Sequence, residues 1–572
     1  MIHNRRTFLS CGAAVGLVTV TGAVLPLLLA HHFGALGIAR GDDWSYLRTL
    51  LHWSETGTVN FNHWVSMTLV GQLALARPMV WVFGRDIAAV QAFTALLGLG
   101  GLMAVVWLGY MLTRSIWIAT FVALLVAASP LWGPLSVSFM TDVPAFSMSM
   151  VACALGVHAL RARAVSLPIL VAGVLVGFVG FTIRQYGAVP VIALVLVGGW
   201  SLWRERRSSE LKVFAGVVAI VVFASVVVLM YWQTIPGGKA VTPGFPTVHS
   251  IGVAFYKGAG MLRLLGLVLA PMIVLVGPMR ILRRSWTAGQ AWSAVAGSGV
   301  VVVLGLTALR SAHVAFVGNY VGPDGALSQG LVAGNRPDIM PSGAFTVLEI
   351  IGVLAGTLLV LAIVPIVAQA PARSKSDADL GRGRVFLFLG LVAAGYVLAY
   401  VLAALLGLQI SDRYALPVLP LLALLVGRDR GWRLAASSEA QPRLSSRSVL
   451  ASTVALGALL CVGVVFTADS AAFDGARWRV DVATTRLGWK PDQIAGGWEW
   501  NNYYARSPVV RTQHLRQRCI TVRLEPGGDV HRNDVVAYRY YRSPLVAPVA
   551  VVALRTRQPC TPGRTSGPDR QR

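Results

Sequence analysis

The sequence predicts an all-α polytopic membrane protein of about thirteen transmembrane helices. Amphipathic helices in the first external loop and a small C-terminal extracytoplasmic α+β domain complete the expected architecture. Three observations carry it. Hydrophobic residues are 55% of the 572 and charged residues only 13%, whereas about a quarter of a soluble domain is charged. Apolar runs of roughly 20 residues, enough to cross hydrocarbon, recur along the chain. Basic residues cluster between those runs as a positive-inside orientation requires, so the formal charge of +25 does not point to nucleic acid.

Arg5-Arg6 precede an apolar run from about Phe8 to Ala30. The pair resembles a twin-arginine export signal. The run is nevertheless long enough to span and many spans follow, so it reads as a retained first helix with a cytoplasmic N-terminus. In the stretch His63–Gly84, residues Val65, Leu69, Leu73, Ala76, Val80 and Phe83 share one helical face, while Ser66, Thr68, Gln72 and Arg77 lie opposite. If this stretch crossed the membrane, the basic clusters at Arg161/Arg163, Arg204/Arg206/Arg207 and Arg280/Arg283/Arg284 would all fall outside. It is therefore expected as one or two interfacial helices within an external loop, 31–86. Further spans are expected near 87–112, 116–135, 143–160, 165–183, 186–203, 210–231, 258–279, 288–309, 346–369, 385–409, 413–427 and 448–468.

These spans make 1–468 a transmembrane domain of a plasma-membrane protein and 469–572 an extracytoplasmic one. The tail holds 17 Lys/Arg and 9 Asp/Glu, too many charges for lipid, and has strand-like runs at Cys519–Leu524, Val535–Tyr541 and Leu545–Leu554. Its last dozen residues read as disordered. Cys11, Cys153 and Cys461 lie in apolar segments and read as inert core residues, and no cysteine spacing suggests a metal. On an oxidising side Cys519 and Cys560 could form a disulfide.

This topology gathers scarce charges on one face. Asp42 and Asp43 follow the first span, Asp142 opens the fourth, Arg184 occupies a very short turn, and Asp412-Arg413-Tyr414 occupies another. Singly, each could be a capping or snorkelling residue. Together they suit transfer of a group from a membrane-embedded phosphate carrier. Arginine forks bind phosphate through parallel, charge-assisted hydrogen bonds and stabilise charge growing on a departing one. A carboxylate can take the proton of an attacking hydroxyl. Adjacent carboxylates near a low-dielectric surface should have at least one pKa pushed upward, which improves a base near neutral pH.

Gly41-Asp42-Asp43-Trp44-Ser45-Tyr46, Met140-Thr141-Asp142-Val143-Pro144, Arg184-Gln185-Tyr186 and Asp412-Arg413-Tyr414-Ala415-Leu416-Pro417 follow one another in this order. With the amphipathic loop, they resemble the GT-C glycosyltransferases, in particular the group with protein O-mannosyltransferases and the lipid A aminoarabinose transferase. The layout matches over most of residues 1–430. The resemblance implies a GT-C-like fold and transfer of a sugar from a polyprenyl-phosphate donor to an extracytoplasmic acceptor, with inversion. It makes Asp42 the preferred general base. Asp43 stands where many members have Glu, which leaves the division of labour between the two open. Asp142 would orient the acceptor, assist the base or help hold a cation. Arg184, where relatives often have Lys, is a candidate for the carrier phosphate. Gln185, Arg413, Tyr414 and Tyr46 are candidates for the phosphate or sugar. Some members use a divalent metal and others none, so the acidic pair does not establish a metal.

Two other classes compete. A transporter or flippase of lipid-linked sugars would place ionisable residues near the bilayer midplane, often in repeated halves. Here the charges lie at one face and no repeat is visible. A silent scaffold with an external binding domain explains the tail but not the charge set.

Overall fold

In lipid the backbone must satisfy its own hydrogen bonds, and helices do so within one segment. The computed structural model describes residues 2–238, 244–283, 287–310, 316–326, 332–368, 377–427, 445–504, 518–525, 530–531, 533–556 and 562. Among these, ten helices are long and apolar enough to cross a membrane. They are Ser10–Phe33, Ile87–Thr113, Asp142–Leu160, Gln185–Arg204, Ser208–Thr234, Val248–Val276, Gly289–Leu306, Ser342–Pro365, Gly381–Leu405 and Ser446–Arg486. The chain is a multi-pass, mostly helical membrane protein with a small C-terminal sheet.

Three expected spans are shorter than predicted. The stretch 116–135 divides into Ile116–Ala127 and Trp132–Ser136, and 413–427 divides into a 3-10 turn, Asp412–Ala415, and Leu419–Gly427. Leu167–Ile183 is one continuous helix of 17 residues. A proline sits at each break, and Pro130 and Pro417 have no amide N–H to donate to the preceding turn. Ile118–Ala127 and all of Leu419–Gly427 are buried, so protein surrounds these pieces.

The loop that follows the first span folds into helices Asp43–Thr56 and Val70–Phe83. The expected helix from His63 starts late, because His63 and Leu69 both adopt φ of 56°. Thr68 and Gln72, expected on its polar side, are buried instead. Thr68 Oγ1 donates to the Phe181 carbonyl at 2.8 Å and Gln72 Nε2 to that of Phe139 at 3.0 Å. The loop is thus tied to the span ends, while Trp81, Val82 and Phe83 remain exposed as on an interfacial helix. At the opposite helix ends, Arg384 pairs with Glu205, and Arg207 with Glu205 and Glu210. Among the described residues, Arg263 and Glu349 form a buried charge pair within the spans, 4.0 Å apart between Val248–Val276 and Ser342–Ala368.

The expected domain boundary at 468/469 falls inside the 41-residue helix Ser446–Arg486. At about 1.5 Å per residue that helix is roughly twice the thickness of the hydrocarbon core, so one end stands clear of it. Its C-terminal half carries four strands, β1 (Ile494–Ala495), β2 (Ile520–Glu525), β3 (Val535–Tyr541) and β4 (Val549–Arg555), in the order β1-β2-β4-β3. β1 runs parallel to β2, and β4 is antiparallel to both its neighbours. Alternation in β2 turns Ile520, Val522 and Leu524 inward, where they join Phe473, Ala476 and Val480 of the long helix in one core. Cys519 is disulfide-bonded, and Cys560 and the last residues, 563–572, lie outside the described residues. Cys153 is buried as expected, but Cys11 and Cys461 are exposed on helices whose apolar faces suit lipid.

The long helix crosses the end of the first span at Gly475, where a Cβ would meet the Phe33 carbonyl oxygen at 2.1 Å. Gly457, on the same helix, has nothing within 4 Å of that position. Gly475→Val should therefore lower the thermal stability of the detergent-purified protein by about 1–3 kcal/mol or more. Gly457→Ala should leave it unchanged or raise it by up to about 1 kcal/mol. Melting curves of the two variants check the crossing.

Candidate active site

The two adjacent acids begin the helix Asp43–Thr56, and Gly41 at φ of 57° makes the turn into it. Consecutive residues at a helix start point in different directions, and here the two carboxylates part. Asp43 is fully buried. Its Oδ1 accepts the Arg40 N–H at 2.5 Å and its Oδ2 accepts the Phe139 N–H at 3.0 Å. Burial pushes its carboxyl well above the usual range, against the pull of those two donors. The raised acid expected from the pair is thus the one that holds the loop together. Asp42 faces the cavity, where Oδ1 accepts the Trp64 Nε1–H at 2.9 Å and Oδ2 lies 3.7 Å from Arg413 Nη2.

Asp142 is the first residue of the helix Asp142–Leu160 and its side chain is fully buried. Its Oδ1 accepts from Arg184 Nη1 at 2.7 Å, and its Oδ2 lies 3.7 Å from Arg413 Nη1. The carboxylate therefore stands behind both arginines, outside the set of cavity-lining residues. Arg184 joins Leu167–Ile183 to the 3-10 turn Gln185–Gly187, and its Nη1 also donates to Thr141 Oγ1 at 2.9 Å. Its guanidinium lies 4.5 Å from the centre of the Tyr414 ring, a cation–π contact.

Arg413 projects from the turn that Pro417 forces. Asp412 anchors that turn. Its Oδ2 accepts the N–H groups of Tyr320 and Val321 at 2.8 and 2.7 Å, and its Oδ1 accepts the Arg413 N–H at 2.9 Å. Burial nonetheless pushes the Asp412 carboxyl up to about 6. The Arg413 guanidinium lies within 6 Å of the Tyr414 and Tyr320 rings, and its Nε and Nη1 are buried without a hydrogen-bond partner. At 3.7 Å the carboxylates attract this cation but are too far to take its hydrogen bonds.

One cavity of about 790 Å³ brings together Asp42, Arg184, Gln185, Arg413, Tyr414 and Tyr46. Gln185 is held by the Ser66 carbonyl at 3.1 Å. Asp43 and Asp142 support the cavity from behind. Val189, Ala399, Ala403, Leu408 and Pro417 make another part of the wall apolar. Sequence reasoning missed Trp64, Trp232, Tyr320, Tyr396 and Tyr400. Tyr396 and Tyr400 sit in apolar runs that read as ordinary spans, Trp232 lies just past the expected end of one, and Tyr320 is in a loop whose composition names no ligand.

A divalent cation does not fit this donor set. The place between Asp42 and Asp142 is taken by Arg413, itself a cation, and no three His, Cys, Asp or Glu side chains converge among the described residues. What the arrangement offers is two guanidiniums for an anion and one partly solvated carboxylate beside them.

No family model and no curated protein matches the chain. Among solved structures it is similar to ArnT from Cupriavidus metallidurans in the apo state, with 12% identity over 97% of this chain and 98% of that one and a TM-score of 0.36. The same protein bound to undecaprenyl phosphate gives 13% identity, 95% and 97% coverage and a TM-score of 0.38. The arabinosyltransferase EmbB from Mycobacterium smegmatis gives 13% identity over 79% of this chain and 41% of that one, with a TM-score of 0.32.

Proposed function

We propose that the protein is a membrane glycosyltransferase that moves a hexose or pentose from a polyprenyl-phosphate donor to a hydroxyl of an extracytoplasmic acceptor. The observation that supports this most is the convergence of Asp42, Arg184 and Arg413 on one cavity, with Arg413 Nε and Nη1 unpartnered. A buried, unsatisfied guanidinium is costly, and a phosphate satisfies it with charge-assisted hydrogen bonds. The apolar wall suits the first isoprene units of the carrier, and Tyr46, Gln185 and Tyr414 offer rings and polar groups to the sugar.

In the reaction the acceptor oxygen attacks the anomeric carbon as the bond from that carbon to the phosphate oxygen breaks. The bonding pair leaves on the phosphate, whose growing charge Arg184 and Arg413 stabilise. The acceptor proton passes to Asp42 Oδ2, since Oδ1 is held by Trp64. A phosphate leaving group needs no protonation of its own, so one base suffices. Attack opposite the leaving group inverts the anomeric configuration. Asp142 keeps the two arginines charged and in place. In the cell this cavity faces outward in the plasma membrane, with the N-terminus in the cytoplasm.

Purified protein supplied with labelled polyprenyl-phosphate sugar and a cell-envelope acceptor extract tests the assignment. Asp42→Asn should lower transfer by about 10²- to 10⁴-fold while the protein folds and binds polyprenyl phosphate. Wild-type transfer by this variant would refute the base. Asp43→Asn should act on stability, lowering it by about 1–3 kcal/mol by mismatching one buried N–H, as a melting curve would read. Arg413→Lys, which loses the planar fork, should weaken polyprenyl-phosphate binding by about 10- to 100-fold in a lipid-binding assay.

A further inference from the structure

We infer that Trp498 and Glu499, in the C-terminal module, are positioning residues for the Asp42 carboxylate; this rests on Asp42 being the base. Two contacts fix where that carboxylate sits: the backbone before it and the indole that holds Oδ1. One six-residue helix, Trp498–Tyr503, reaches both. Glu499 Oε1 accepts the Gly41 N–H at 3.0 Å. Trp498 packs edge-on against Trp64, the donor to Asp42, with ring centroids 4.8 Å apart, and against Trp44 at 6.2 Å.

The helix is itself braced. Arg477 donates to Glu499 at 2.5 Å and to Asp474 at 3.1 Å, and Asp474 accepts Arg40 Nε at 2.9 Å. Arg40 also donates to Ser470 Oγ at 2.9 Å, and Arg48 Nη1 donates to the Asn502 carbonyl at 2.6 Å. Glu499 is completely buried, with Arg477 as its ion-pair partner and the Gly41 N–H as a further donor. A carboxylate that must receive a proton from an attacking hydroxyl tolerates little displacement, and about 1 Å can cost 10²-fold in rate. The C-terminal module thus acts as a brace that sets the aim of the base without touching substrate.

Trp498→Ala and Glu499→Ala in the full-length protein should lower kcat by about 10- to 100-fold. KM for the donor and the affinity for polyprenyl phosphate, which Arg184 and Arg413 set, should stay within about twofold of wild type. Trp498→Phe keeps a ring but loses part of the indole edge, and should lose a few-fold in kcat alone. A readout free of turnover is carbodiimide labelling of Asp42, followed by peptide mass spectrometry across pH. The variants should shift its rate or midpoint. Wild-type kcat and wild-type labelling would overturn the proposal, as would parallel loss of phosphate binding and melting temperature, the mark of a merely structural role. If Trp498→Ala does not fold, Trp498→Phe decides by the same criteria. Altered labelling in a protein whose wild type transfers no sugar would uphold the brace and reject the transferase.

Discussion

The Arg413 guanidinium stands 3.7 Å from two carboxylates and hydrogen-bonds to neither. Most of the site follows from that separation. Burying a charge in a low-dielectric interior costs several kcal/mol unless a partner compensates it. Asp42 and Asp142 supply the compensation by attraction across a short gap, and leave the donors of the cation unspent. Arg184 and its direct partner Asp142 complete a set of two cations and two anions, so the site is balanced before any ligand arrives. An anion entering the cavity gains hydrogen bonds that the resting protein does not make.

The fold delivers these groups by placing each at a break in regular structure. Asp42 precedes a helix, Asp142 begins one, Arg184 lies between two, and Arg413 sits on a turn set by Asp412 and a proline. Helix and turn ends leave backbone donors without partners. Asp43 and Asp412 spend their oxygens on N–H groups of distant segments, at Phe139 and at Tyr320 and Val321. Two of the acids at this face are thus structural. They hold the segments on which Asp42, Asp142 and Arg413 ride.

The helical spans and the charged residues at their ends were legible because both depend on local pattern. Apolar length gave the spans, the basic clusters gave one set of ends, and the short gaps between spans placed Arg184 and Asp412-Arg413-Tyr414 in turns. The helix Val70–Phe83 was legible from its period, although its start was not. Nothing local requires positive φ at His63 and Leu69, where tertiary hydrogen bonds from Thr68 and Gln72 override the helical pattern. The separation of Asp42 from Asp43 was hidden as well, since it depends on an amide 96 residues away. Glu499 lies 458 residues from Gly41, and a lone acid in a charged tail carries no mark of such a contact. Prolines could have signalled the broken helices at 116–135 and 413–427, had their cost outweighed the hydropathy of those runs.

The central claim is that Arg413 and Arg184 receive a carrier phosphate beside Asp42. An experimental structure of the protein with a bound polyprenyl phosphate tests it most directly. The phosphate oxygens should lie about 2.7–2.9 Å from guanidinium nitrogens of Arg413 and Arg184, with Asp42 Oδ2 facing the same cavity. A phosphate held elsewhere, with Arg413 still facing only its carboxylates, would contradict it.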